Sequence, residues 1–556
     1  MAGEEAAICV VPEPSRLKFT GRWLMFDGVE DITDFPLAEF NIGKGGWRIE
    51  KIERDGQGVS IDEGCIKYWG NRFTALATII QLILQSPGRL PEVYIEERQD
   101  FSFRCFHLDI ARGGIPTIRT FRRLVKWLFL LKYTHFAVYV EDIFPWKRYG
   151  NIGRGRGKLT DVEFEEMCGY GERMGVEVFP SLELLGHMEH VLSLPEYHDY
   201  SELWWRGDDC IDLTNPHARG LAMGMLEDAL EVSRSRHILV GGDETWSLGR
   251  GRSLDRLGKY AGPELYVEHY RSIIDKVREH GRTPVLWGDM ITGMYLTDEG
   301  RKKWEKVIRN DIWNGVVVAN WDYSPEEKAH FTEKISSIGR FERQLACPGL
   351  SNWLTFYPDF DAALKNLEMF LSAARESGLK GYVITAWGDG GSECLFSLLD
   401  PLILAAAEIA SGGSGWKGKW LALTGEKRSV LDSRLLLGGR GLGRKVRHLI
   451  QNAGEGVRPD AGELETWKSI YRETGVTGLP EDIGFARDCL SLAIDIAEGT
   501  ATRAGFFALA DRFAALWRAE RKEENLDRVI GNLWSSAAKF EIAKEPTAKA
   551  KMGKAV

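Results

Sequence analysis

Eight short apolar runs recur between Phe103 and Gly391, and they restrict the fold more than any other feature of the chain. They are FHLDIA (from Phe106), HFAVYVE (from His135), EVFPSLEL (from Glu177), HILVGGDE (from His237), PVLWGD (from Pro284), VVVANWDY (from Val316), RQLACPG (from Arg343) and GYVITAWGD (from Gly381). Most are continuous rather than alternating, the pattern of parallel strands buried on both faces. Helical patterns separate them. Thr117 reads as an N-cap, followed by an apolar stripe of Phe121, Leu124, Val125, Leu128 and Leu131. Asn215-Pro216 reads as N-cap and first helical residue, with Leu221, Met225 and Ala229 following at helical spacing. Strands alternating with helices over such a length predict an α/β fold, a (β/α)8 TIM barrel spanning 103–400.

The chain has 556 residues, so the barrel does not account for all of it. Residues 1–102 contain WRIEKIERDGQGVSID, an amphipathic ALATIIQLILQS and PEVYIEER, which predict a small α+β domain. Residues 401–543 read as a mainly helical C-terminal domain, with FFALADRFAALWRAERKEENLDRVIGNLWSSAAKF as one long amphipathic stretch. Residues 544–556 form a basic tail too poor in apolar residues to order itself. The net charge of −9 argues against nucleic acid as a partner, which would need a basic face. No signal peptide and no membrane-crossing run are evident. The eight cysteines are scattered without a C-x-x-C pair, which suits reduced thiols in a cytoplasmic protein.

A barrel of this kind places its chemistry at the C-terminal ends of its strands. Those ends carry Asp109 and Arg112, Glu141 and Asp142, Glu183 and His187, Asp243 and Glu244, Trp287 and Asp289, then Trp321, Asp322 and Tyr323. Trp353 follows the seventh run, and Trp387 and Asp389 end the eighth. An isolated Asp-Glu pair would most simply cap a helix; carboxylates and tryptophans converging from many strands do not reduce to that. Tryptophan is abundant, with 19 residues, and its flat face suits the apolar C–H face of a sugar ring. His187 is positioned in the sequence to orient a catalytic carboxylate. His187, His190, Glu183 and Asp289 could approach a divalent-ion set, but their spacing matches no zinc signature, so no metal and no cofactor is expected.

These motifs resemble glycoside hydrolase family 20, the β-N-acetylhexosaminidases. FHLDIARGGIPTIRTFRRLVKWLFLLKYTHFAVYVED resembles the first βαβ unit of that family, SLELLGH its third-strand motif, GGDE its catalytic Asp-Glu motif, and WDY and TAWGD its later strand tips. The likeness spans roughly residues 10 to 400; the helical C-terminal region resembles, more weakly, a bacterial, intracellular-type subgroup. One departure stands out: the family often has His two residues before the first Gly, where this chain has Leu239, and His237 is out of register.

The resemblance implies an exo-acting, retaining β-N-acetylhexosaminidase in which the substrate's own acetamido oxygen is the nucleophile. Glu244 would be the general acid and then the base. Asp243 would accept a hydrogen bond from the acetamido nitrogen and stabilise positive charge. Arg112 and Asp389 would hold ring hydroxyls. Trp321, Trp353 and Trp387 would wall the acetamido pocket, and Tyr323 would bond the attacking oxygen. His187, Trp287 and Asp322 complete the expected substrate-binding set. Gly241 and Gly242 would clear space beside the two acids, which strand alternation would turn to different sides of the sugar. The expected partner is a terminal N-acetylhexosamine of an oligosaccharide or glycoconjugate. Two alternatives stay open: a related glycosidase for glucosamine or sulfated N-acetylglucosamine, and a catalytically silent sugar-binding protein. The helical C-terminal region would either cover the barrel or form a homodimer contact.

Overall fold

The computed structural model describes residues 8–30, 35–205 and 209–544, so the expected basic tail lies outside the described residues from 545 onward. Each of the eight apolar runs forms a parallel strand. We label them β6 (Phe103–Asp109), β7 (His135–Tyr139), β8 (Glu177–Ser181), β9 (His237–Leu239), β10 (Thr283–Trp287), β11 (Val317–Trp321), β12 (Gln344–Cys347) and β13 (Gly381–Ala386). They close into a barrel, with β13 pairing back onto β6. Inward-facing residues such as Cys105, Ala137, Phe179, Leu239, Val285 and Leu345 fill its interior, so it is a packed core rather than a channel. The capping signals act as read. Thr117 accepts from the Thr120 N–H at the start of the Ile118–Leu130 helix, and Asn215 accepts from the His217 N–H at the start of Pro216–Val232.

The N-terminal segment forms a five-stranded sheet of β1 (Arg16–Met25), β2 (Arg48–Lys51), β3 (Gly58–Asp62), β4 (Cys65–Trp69) and β5 (Arg89–Glu96), in the order β1-β5-β3-β4-β2. The helix Arg72–Gln85 departs from the amphipathic expectation: every residue from Thr74 to Ile83 is buried. It lies between this sheet and the barrel helix Ile118–Leu130, so it has no solvent face to keep polar. The amide of Gln81, buried in that layer, finds partners for its hydrogen-bonding groups. The Gln81 amide donates to the carbonyls of Val11 and Leu130 and accepts from the Val11 N–H.

Lys132 and Glu97 form an ion pair at the same junction, with side-chain exposures of 0% and 1%. Thr78 Oγ1 also donates to Glu97. A buried charge left without its partner is costly. Glu97→Ala is therefore expected to destabilise the protein by about 3–5 kcal/mol, read as a lowered denaturation midpoint, whereas a salt bridge at the surface would cost under about 1 kcal/mol.

The C-terminal region is helical, from Trp416–Thr424 to Leu526–Lys544. The long amphipathic stretch is not one helix but two, Arg503–Glu520 and Leu526–Lys544, packed side by side. The break follows from the barrel. Thr117 N–H donates to Glu520 O at 3.0 Å and Lys522 N–H to Ile115 O at 2.8 Å, holding the turn extended against the segment after β6. Arg521 is buried there, its guanidinium between the Phe396 and Trp517 rings and donating to the Ser392 and Cys394 carbonyls. The C-terminal helices thus lean on the rim that carries β6 and β13. Among the described residues no helix is long and apolar enough to cross a membrane.

Candidate active site

A cavity of about 350 Å³ opens at the C-terminal end of the barrel. Arg112, His187, Asp243, Glu244, Trp287, Trp321, Tyr323, Trp353, Leu354, Trp387 and Asp389 line it. Ten of these eleven belong to the set expected from sequence. Leu354 does not; it is a 40% exposed side chain in the loop after β12, with nothing in its sequence context to single it out. Asp322 does not line the cavity. Its carboxylate accepts from Lys334 Nζ at 2.7 Å, from Ser324 at 2.6 Å and pairs with His330 at 2.9 Å, which draws it well below the ordinary range, to about 2, against the opposing effect of burial. It braces the loop after β11.

Asp243 and Glu244 do not sit on a strand. β9 ends at Leu239, and the following residues turn through positive φ at Gly241 (+71°), Gly242 (+101°) and Glu244 (+49°). Strand alternation therefore does not separate the two acids; both face one cavity. The loop is pinned on several sides. Tyr266 OH donates to Gly242 O at 2.7 Å, Trp287 N–H to Gly241 O at 3.2 Å, and Glu244 N–H to Asp289 Oδ2 at 2.8 Å. A left-handed conformation at a non-glycine residue is strained, and it is held here by that surrounding network.

The glycines were expected to let substrate or a neighbouring backbone come close, and it is protein that crowds them, side chains foremost. A Cβ at Gly241 would stand 2.2 Å from Glu183 Oε2, and one at Gly242 would stand 2.8 Å from Tyr266 OH. Gly241→Ala is thus expected to cost about 1–3 kcal/mol from backbone strain alone, with the collision added, read as a lowered melting temperature together with reduced turnover.

The electrostatics of the two acids are set by their neighbours. Asp243 pairs with His187 Nε2 at 3.3 Å through Oδ2, and its Oδ1 is buried without a partner among the described residues. His187 Nε2 also lies 3.6 Å from Glu244. Burial opposes charge on His187, but Asp243 and Glu183 outweigh it and hold the imidazole well above its ordinary value. Burial first, and the Asp243 charge second, raise the Glu244 carboxyl, with His187 pulling the other way. Behind them, Glu183 is fully buried with neither oxygen partnered among the described residues. Burial and then the Asp243 charge push it well above the ordinary carboxylate range. Asp289 is raised in the same way, to about 7, while accepting from Trp321 Nε1.

Opposite, Arg112 forms ion pairs with Asp109 at 2.9 Å and Glu141 at 3.2 Å, and its guanidinium lies over Tyr139 and Trp387. Asp109 also accepts from Gly388 N–H at 2.8 Å, so β6 and the loop after β13 position Arg112 together. The aromatic wall is continuous. Trp321 stacks on Tyr323 at 5.3 Å between centroids, Tyr323 meets Trp353 at 5.2 Å, and Trp387 meets Trp287 at 5.7 Å. Trp387 Nε1 donates to Tyr323 OH at 2.8 Å, which leaves that hydroxyl a proton to donate. A larger cavity of about 640 Å³ adjoins, sharing Tyr323 and Trp353 but neither acid. The four residues weighed as a metal set, His187, His190, Glu183 and Asp289, do not converge; among the described residues His190 alone of them joins a group that could hold an ion, with Glu141 and Glu189.

No family model matches the sequence. The chain is 24% identical over 307 residues to human hexosaminidase D, a match covering 52% of this chain and 60% of that protein. It spans less than two thirds of the length of that relative. Among solved structures, the family 20 exo-β-N-acetylglucosaminidase of Vibrio harveyi in complex with N-acetylglucosamine superposes with a TM-score of 0.58 at 16% identity, covering 78% of each chain. The Streptomyces plicatus β-hexosaminidase in complex with its product N-acetylglucosamine gives 0.55 at 16% identity, covering 74% of this chain and 95% of that one. The chain is therefore related in sequence to a hexosaminidase and carries the fold of the glycoside hydrolase family 20 β-N-acetylhexosaminidases.

Proposed function

We propose that this protein is an exo-acting, retaining β-N-acetylhexosaminidase that removes terminal non-reducing β-linked N-acetylglucosamine, and N-acetylgalactosamine as a second substrate. The observation that carries the reading is the shared cavity: Asp243 and Glu244 line it together with Arg112, Asp389 and the Trp321–Tyr323–Trp387 wall. Its volume suits one sugar ring rather than a chain, as an exo-acting enzyme requires. The relatives named above act on or hold N-acetylglucosamine, which agrees with this choice.

In the first step the acetamido carbonyl oxygen of the bound sugar bonds to C1 as the C1–O bond to the leaving group breaks. Glu244 gives its proton to the departing oxygen; its raised pKa keeps that proton available. Asp243 accepts the acetamido N–H and offsets charge on the oxazolinium-type ring. Tyr323 OH donates to the acetamido oxygen, and the tryptophan wall fixes the acetamido methyl so that this oxygen points at C1. In the second step Glu244 takes a proton from water. That water bonds to C1, the ring opens, and the acetamido group is restored with the β configuration. Arg112 and Asp389 hold the ring hydroxyls throughout. No metal or cofactor enters.

Proton NMR of the first turnover tests the reading: the β anomer of N-acetylglucosamine should appear before mutarotation, and initial release of the α anomer would overturn it. We also assign the protein to a reducing compartment such as the cytoplasm, a choice supported by its eight cysteines, none of which is in a disulfide.

A further inference from the structure

The end of the barrel opposite the sugar cavity holds a second cluster of chemistry-bearing side chains. His135, Glu177 and His237 are the first residues of β7, β8 and β9, three neighbouring strands. His135 and Glu177 are register partners. Strand alternation gives them the same facing as Ala137, Phe179 and Leu239, two residues further on, which lie in the barrel interior. The three side chains therefore close the bottom of the barrel core. Phe103 stacks on the His135 ring at 3.9 Å and meets the His237 ring edge-on at 5.1 Å.

Hydrogen bonding leaves Glu177 Oε2 and, in one tautomer, His135 Nε2 open to a ligand. Thr134 Oγ1 donates to Arg104 O at 3.3 Å, accepts from Arg104 N–H at 3.0 Å and lies 2.7 Å from His135 Nδ1. In the tautomer whose proton is on Nδ1, Thr134 accepts from that N–H and His135 Nε2 carries a lone pair. That nitrogen faces Glu177 Oε2 at 3.7 Å. The other carboxylate oxygen, Oε1, is occupied by Ser235 Oγ, Arg236 N–H and His237 Nδ1. No donor among the described residues serves Oε2. The nearby Arg282 does not, because it donates to the carbonyls of Leu230, Ser233 and Ser235. In that tautomer the imidazole and carboxylate lone pairs lie 3.7 Å apart, and a cation between them would bind both.

We propose that His135, Glu177 and His237 form a binding site for one divalent transition cation of the zinc class, with solvent completing the coordination. Two nitrogens and one carboxylate oxygen are a borderline-soft donor set that suits zinc better than calcium or magnesium. The ligand atoms all lie within 4.8 Å of one another; His135 Nε2 is 3.7 Å from Glu177 Oε2, and His237 Nδ1 is 3.2 Å from the other oxygen, Oε1. A tetrahedral zinc site with bonds of ~2.0–2.1 Å has edges of about 3.4 Å. On binding, His237 would exchange its contact with Glu177 Oε1 for a bond to the ion. Thr134 supplies the outer hydrogen bond that orients a ligating histidine. The ion would tie together the starts of three barrel strands, far from the sugar cavity, and so act on stability rather than turnover.

Calorimetric titration of the chelator-stripped full-length protein with Zn²⁺ tests this. The expected result is one equivalent bound, a melting temperature raised by Zn²⁺, and a hydrolytic rate changed less than about twofold on metal removal. His237→Ala, at a partly exposed position, and Glu177→Gln should each weaken binding at least about 100-fold and abolish the thermal shift. Glu189→Gln is the control, because Glu141, Glu189 and His190 form the other group that could hold an ion. No stoichiometric binding to the wild-type protein would overturn the proposal and leave a bridging water as the explanation of the geometry. Binding unchanged in His237→Ala, or lost in Glu189→Gln instead, would overturn it as well.

Discussion

Glu244→Gln is expected to lower kcat on a β-N-acetylglucosaminide by about 10²–10⁴-fold, the range for loss of a general acid. The loss should be smallest with nitrophenol, which leaves readily without a proton, and largest with a sugar leaving group. KM should change little, because Gln keeps the side-chain length and the cavity wall. The fold should survive too: the Glu244 side chain is 43% exposed, and the loop is pinned through its main chain rather than its carboxylate. Circular dichroism and binding of N-acetylglucosamine separate this outcome from misfolding. A variant with full activity on a disaccharide would remove Glu244 from the mechanism.

Asp243→Asn is expected to cost about 10²–10³-fold in kcat, comparable to removing one group that stabilises transition-state charge. It should also move the pH profile. A general acid must hold its proton, so activity falls as pH rises through the Glu244 pKa, which is raised first by burial and next by the Asp243 charge. Removing that charge lowers the Glu244 pKa. The basic limb of the profile should therefore shift to lower pH in Asp243→Asn, while a merely structural role for Asp243 would lower the rate with no shift. His187 tempers the effect, because it lies 3.6 Å from Glu244 and favours its ionised form.

The barrel strands were legible because each is buried on both faces and so reads as an unbroken apolar run. β1 and β4 of the N-terminal sheet were not marked. β1 is a mostly exposed edge strand in which polar residues interrupt the pattern, and β4 merges with the turn before the Arg72–Gln85 helix. That helix was misjudged as amphipathic because periodicity reports sequence, whereas its burial on all sides depends on two partners far along the chain. The break at Arg521 was hidden for a similar reason: the residues that stop the helix, Ile115 and Thr117, lie some 400 positions away.

At the site, strand-end position was enough to bring most of the lining residues to notice. It said nothing about which way a carboxylate turns, so Asp322 was grouped with the cavity although Lys334 and His330 hold it aside. The glycines of GGDE illustrate the limit best. Their presence beside two acids was visible, but that Glu183 and Tyr266 occupy the space a side chain would need is a fact of packing.

The most direct test of the account compares nitrophenol release from the β-N-acetylglucosaminide and from the non-acetylated β-glucosaminide under identical conditions. Substrate assistance predicts rapid turnover of the first and almost none of the second, because the second lacks the internal nucleophile and leaves the tryptophan wall without its acetamido group. Comparable rates on both would contradict the account and require a protein nucleophile, for which Asp243 and Asp389 are the other carboxylates lining the cavity.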